Sequence, residues 1–210
     1  MELDLVKSSC ADFAAVLAAK EAVPGGGGAA AYVGALSAAL CSMVGNYTSG
    51  KKAYAAVEED IARMLQEAKA VRLRLLALVA EDARSFLPLS KAYAIPKNDP
   101  RRAEVLEKAT KDACAAPLEM MRQVAKSVEL LEEMGKKGSR MLASDVGCGA
   151  LLARAALESA AMNVFVNTRT LKDVEFVKAV EDEVDGILDT YVPRAQQCAD
   201  TVMNAIRGKD

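Results

Sequence analysis

A carboxylate among apolar neighbours is the first residue of chemical interest in this chain. Asp82 lies in Val79-Ala80-Glu81-Asp82-Ala83-Arg84-Ser85-Phe86, where helical spacing surrounds it with Val79, Ala83 and Phe86. Partial burial there would raise its pKa and suit it to proton transfer near neutrality. The ordinary alternative is a solvated side chain beside Glu81, and the residue types leave both open. Pro24-Gly25-Gly26-Gly27-Gly28 precedes a helical segment, so its backbone N–H groups could meet an anion at a helix N-terminus, or the run could be a flexible linker. It is neither a P-loop nor a dinucleotide-binding fingerprint. Asn163 and Asn167 lie four apart on an otherwise apolar helix, and buried amides need partners or ligands. Ser144-Asp145 reads first as a helix-capping pair, and Lys97, after Pro96, as a loop lysine.

The chain has no histidine. That excludes Ser-His-Asp and Cys-His pairs, HExxH zinc hydrolysis and di-iron sites built on Glu-x-x-His, leaving Asp, Glu, Lys, Tyr, Cys and Ser for any chemistry. The five cysteines, Cys10, Cys41, Cys114, Cys148 and Cys198, are odd in number and form no C-x-x-C pair, so neither a thiolate metal site nor a disulfide framework is expected. No resident metal or permanently bound cofactor is expected either. A formal net charge of −2 gives no general attraction to nucleic acid or to an anionic membrane, and neither is expected as a partner. The N-terminus, MELDLVKSS, carries no apolar signal core. A reduced, cytoplasmic protein follows as the expectation, with Asn46-Tyr47-Thr48 not a glycosylation site.

The elements that must position these residues read as helices. With 210 residues, 52% hydrophobic content and 4% aromatics, the chain is long enough for one sizeable core and shows no strand alternation. Ser8 or Ser9 caps a short first helix, which Val23-Pro24-Gly25 stops, and Gly25 to Gly28 then form a break. Ala30, Gly34, Ala38 and Ser42 fall at i+4 intervals and predict a central helix with a small-residue face. Ala29 to Val44 is too short and too alanine-rich to favour a membrane span. From Tyr54 to about Leu87 the pattern predicts one long helix burying Ile61, Leu65, Ala68, Leu75, Leu76 and Val79, with Pro88 as its kink or end. Pro96 to Pro100 reads as a loop, Arg101 to Ala115 as a helix, and Pro117 as the opening of another that ends near Gly135 to Gly138. Ser144-Asp145 starts the next helix, and the last runs from about Lys172 to Ile206, bent near Pro193. The sum is an all-α bundle of long antiparallel helices in a single domain over 1–210, expected as a homodimer.

In order along the chain, PGGGGAAAYVGALSAALCSMVGNYT, EDARSF, AYAIPK, the Pro117 helix and SDVGCGALLARAALESAAMNVFVN resemble the formiminotransferase-cyclodeaminase C-terminal family, the cyclodeaminase and cyclohydrolase proteins of folate one-carbon metabolism. The resemblance covers nearly the whole chain and points to the stand-alone form. It implies an all-helical subunit in a tight homodimer, with a tetrahydrofolate one-carbon derivative bound near the glycine-rich turn and the subunit interface. The implied reaction converts 5-formimidoyltetrahydrofolate to 5,10-methenyltetrahydrofolate and ammonia. The implied alternative hydrolyses the methenyl compound to 10-formyltetrahydrofolate, and a non-catalytic folate-binding or helical interaction protein is the third reading.

Carried onto this chain, the resemblance makes Asp82 or Asp145 the proton-transfer group and places Lys97 near the leaving group or the folate. Pro24, Gly25, Gly26, Gly27 and Gly28 would shape the pocket, with Asn46, Ser144 and Asn163 facing substrate. Lys51 or Lys52 would meet the glutamate tail. One departure stands out: the turn has a fourth glycine and then alanine, Gly28-Ala29, where the family usually has a serine after three glycines.

Overall fold

The computed structural model describes residues 5–208, and every regular element among them is helical. Six α-helices form the bundle: α1 (Cys10–Ala18), α2 (Gly26–Thr48), α3 (Glu58–Tyr93), α4 (Arg102–Lys137), α5 (Ala143–Thr168) and α6 (Val174–Arg207). Short 3-10 turns, Lys52–Val57 and Arg140–Leu142, lead into α3 and α5.

Helix α2 is central because its small residues let three neighbours approach. Ala30, Gly34 and Ala38 are buried. A Cβ on Gly34 would fall 2.8 Å from Val124 Cγ2 of α4, and one on Gly45 2.8 Å from Leu65 Cδ2 of α3. Larger residues would therefore force the helices apart. A buried hydrogen bond, Ser37 Oγ to Ser127 Oγ at 2.9 Å, pins α2 to α4. Helix α3 buries Ile61, Met64, Ala68, Leu75, Leu78 and Val79 at helical spacing. Expected core residues Leu65 and Leu76 are only half-buried.

The two ends of α2 fix the direction of α5. A Cβ on Gly26, in α2's first turn, would lie 3.4 Å from Asn163 Nδ2, late in α5. At the opposite end, Thr48 Oγ1 accepts from Ser139 N at 2.8 Å, just before α5. The helices are antiparallel. Helix α6 closes the other side, held to α4 by Arg122 with Glu183 and by Arg194 with Glu132.

Several boundaries differ from the sequence reading. Helix α1 ends at Ala18, well before Pro24. The glycine run is no break: Gly25 is the N-cap and Gly26, Gly27 and Gly28 are already helical. Pro88, Pro117 and Pro193 all lie inside continuous helices. Tertiary packing of the flanking turns outweighs the loss of one backbone bond in each. Ser144 and Asp145 occupy the first turn of α5 rather than its cap, which is Leu142 without a side-chain bond. Helix α2 and the stretch Arg140–Thr168 are long and apolar enough to cross a membrane by length and composition, and about half of each window is buried within the bundle (56% and 44%).

Candidate active site

Asp82 and the glycine turn meet because position 27 has no side chain. A Cβ there would sit 2.5 Å and 2.6 Å from the two Asp82 carboxylate oxygens, closer than any such contact is tolerated. Glycine therefore lets a carboxylate from α3 press onto the first turn of α2. Gly25, as N-cap, offers no side chain to the unpaired N–H groups of that turn. Asp82 takes part of the missing cap's role from another helix, its anion favoured by the nearby Gly28 N–H.

Two effects then compete for the Asp82 proton. Burial penalises the anion, and the Gly28 N–H, aided by the helix dipole, favours it. Burial wins, so the carboxyl is pushed up from 3.8 to about 6. No cation forms an ion pair with it among the described residues. A carboxyl held near 6 without a counter-ion exchanges protons readily at neutral pH.

The carboxylate faces a cavity of about 200 Å³. Ala22, Val23, Gly25, Gly26 and Gly27 form one wall, and Asp82, Ser85 and Phe86 of α3 a second. Ala113 and Pro117 of α4 and Asn163, Val166 and Asn167 of α5 complete it. Asn163 donates from Nδ2 to Ser159 O at 2.8 Å. Asn167 donates from Nδ2 to Ala113 O at 3.2 Å. Pro24 is buried behind the turn, where a Cβ on Gly28 would lie 3.1 Å from Pro24 Cβ.

The expected site residues thus divide. Pro24, Gly25, Gly26, Gly27, Gly28, Asp82 and Asn163 gather at one end of the bundle. Asn46 and Lys51 lie exposed at the far end of α2, and Ser144 and Asp145 in the first turn of α5. Eighteen residues of α5 separate Asp145 from Asn163, about 27 Å at helical rise. Lys97 is exposed in the connection between α3 and α4 and does not line the cavity. The sequence reading missed Ser85, Phe86 and Pro117 as lining residues, and it singled out Asn167 beside Asn163 without assigning it to the site. Ser85 and Phe86 follow Asp82 at i+3 and i+4, a signal that would have found them.

The buried thiols are unreactive. Burial pushes Cys41 up to about 12 and Cys114 up to about 11, and neither lines the cavity. Among the described residues, no group of three or more Cys, Asp or Glu gathers as a metal site.

The formiminotransferase-cyclodeaminase family profile matches residues 9–186, and the chain belongs to that family. The methenyltetrahydrofolate cyclohydrolase of Methylorubrum extorquens is 40% identical over 176 residues, covering 82% of this chain and 85% of that protein. The mouse formimidoyltransferase-cyclodeaminase is 31% identical over 191 residues, covering 89% of this chain. The chain spans 35% of that longer protein. The crystal structure of formiminotetrahydrofolate cyclodeaminase from Thermotoga maritima superposes with a TM-score of 0.84 at 28% identity, covering 94% of this chain and 98% of the other.

Proposed function

We propose that this protein is a formimidoyltetrahydrofolate cyclodeaminase, forming 5,10-methenyltetrahydrofolate and ammonia. One observation carries the mechanism: an unpaired, desolvated carboxyl with a pKa of about 6 at the glycine turn of a small cavity. N10 of the folate attacks the formimino carbon, forming a tetrahedral carbon between N5 and N10. Asp82 accepts the N10 proton and passes a proton to the departing nitrogen, which leaves as ammonia while the N5–C–N10 bridge becomes the methenyl cation. Asn163 holds the pterin or the intermediate by hydrogen bonding. The carbon under attack is already electrophilic, so this sequence asks nothing of histidine.

The far-end residues enter this reading through a second copy of the chain. Helices α2 and α5 share an exposed apolar stripe, with Leu36, Met43, Tyr47, Leu151, Met162 and Val166 uncovered. Met162 and Val166 stay 70% and 62% exposed, unusual for apolar residues at helical spacing. A two-fold pairing of this stripe with its axis across the helices would set each glycine turn opposite the start of the partner's α5. Asn46, Lys51, Ser144 and Asp145 would then complete the site of the other subunit, with Lys51 or Lys52 toward the glutamate tail. The five free thiols support a cytoplasmic location.

The test is methenyl absorbance with a parallel ammonia assay, using wild-type protein and Asp82→Asn. A rise in absorbance with stoichiometric ammonia, lost in the variant, supports the proposal; a wild-type protein that is silent contradicts it. The 40% identity to the M. extorquens cyclohydrolase favours a second reading, in which water replaces the amine as nucleophile at the same site. Decay of the methenyl band without ammonia would select it.

A further inference from the structure

Pro117 leaves a gap in α4 that a residue of the cavity fills. Proline has no N–H, so the Ala113 carbonyl, four residues earlier, lacks its helical donor. Pro88 and Pro193 pose the same problem in α3 and α6, but both are exposed, as are Arg84 and Asp189 four residues before them, so water reaches those turns. Pro117 and Ala113 are buried. There the replacement donor is Asn167, whose Nδ2 reaches Ala113 O at 3.2 Å from α5.

This bond does more than satisfy a carbonyl. An amide is planar, so anchoring its nitrogen also fixes its oxygen. Asn167 Oδ1 takes no hydrogen bond from the described residues, and the side chain lines the cavity that Asp82 faces. One turn earlier Asn163 is anchored in the same way, its nitrogen committed to Ser159 O. Two amide oxygens therefore remain available on one face of α5. Among the described residues, no Lys or Arg lines the cavity. A wall of this composition selects a neutral, N–H-rich group rather than an anion.

We propose that Asn167 binds the substrate through Oδ1, accepting an N–H of the amino and lactam edge of the pterin, and that Pro117 is a positioning residue that orients this amide by leaving Ala113 O for its nitrogen. The inference rests on the folate reading above. The pterin edge is common to the formimidoyl and methenyl compounds, so the contact serves affinity in either reaction and leaves the chemical step to Asp82.

The test measures three quantities for each variant: thermal midpoint, calorimetric affinity for 5-formyltetrahydrofolate, and kcat and KM with 5-formimidoyltetrahydrofolate. Asn167→Ala lowers the midpoint, because Ala113 O loses its donor, and weakens binding about tenfold with a matching rise in KM and little change in kcat. Adding Pro117→Ala restores a helical N–H to Ala113 O, so the midpoint recovers while binding stays weak. Pro117→Ala alone keeps the midpoint but weakens binding several-fold, since Asn167 is no longer held. Affinity that recovers together with the midpoint in the double variant overturns the inference, leaving Asn167 purely structural. So does an Asn167→Ala protein that binds as tightly as wild type. Wild-type protein that binds no reduced folate overturns the folate reading itself.

Discussion

The two ends of the bundle carry similar residue types in opposite environments. At the glycine turn, Asp82 is desolvated, set near one backbone N–H and raised to about 6. At the other end, Asp145 and Ser144 occupy the first turn of α5, at the same end of the bundle as the exposed Asn46 and Lys51. Both carboxylates lie near helix N-termini, where the dipole favours the anion. The difference lies in what surrounds them. Helix α3 packs Asp82 against the glycines of the α2 turn at the edge of a small cavity, whereas Asp145 sits in the first turn of its own helix without capping it. At the glycine turn, withdrawal from water outweighs the pull of the helix end on the Asp82 carboxyl.

The largest predicted effect breaks the glycine-turn end. Asp82→Asn keeps the acceptor oxygen for the Gly28 N–H but removes the titrating group, so kcat should fall at least roughly a hundredfold. A variant with wild-type turnover would remove Asp82 from the mechanism. Asp145→Asn should also lower kcat by about a hundredfold if its site is completed by the partner. Its pH profile should nonetheless keep the wild-type acid limb, because that limb belongs to Asp82.

The glycines sharpen the comparison within one turn. Gly27→Ala would place a methyl 2.5 Å from the Asp82 carboxylate and must displace it, with an expected loss in kcat of at least tenfold. Gly26→Ala meets only ordinary contact, 3.4 Å from Asn163 Nδ2, and should cost less than threefold. Parallel assays of the two variants check this, and equal losses would contradict the close approach.

The pH dependence follows from the raised carboxyl. Activity of the wild type should fall on the acid side of about pH 6, as Asp82 becomes protonated. Stability moves in the other direction. The folded-state value of about 6 exceeds the unfolded value of 3.8, so the unfolded chain gives up this proton first and stability declines as pH rises from about 4 to 6. Asp82→Asn should therefore melt a few degrees higher than wild type above pH 6 and equal it near pH 3.5. The smallest effect belongs to Lys97→Ala: an exposed loop residue outside the cavity should change kcat by less than about twofold.

Much of the bundle was legible because its signals are local. The i+4 row of Ala30, Gly34 and Ala38 announced a close-packed helix, and the period of α3 named most of its buried face. Pro117 was misplaced because a proline at a helix start and one inside a helix look alike until a distant donor is known, and Asn167 supplies it from 54 residues away. Asp82 and Asn163 stood out as polar residues within apolar stretches. Asp145, Ser144 and Asn46 belong to the same family motifs, and Lys51 follows one of them, yet sequence order carries no information about which end of an antiparallel pair each would occupy.

That separation makes subunit mixing the decisive measurement. Asp82→Asn and Asp145→Asn proteins, each nearly inactive, are unfolded together, refolded as a mixture and assayed for ammonia release. If each site takes Asp82 from one chain and Asp145 from its partner, half the dimers are mixed and each holds one intact site, restoring about a quarter of wild-type activity. Activity no greater than the mean of the two separate variants would contradict a site shared between subunits.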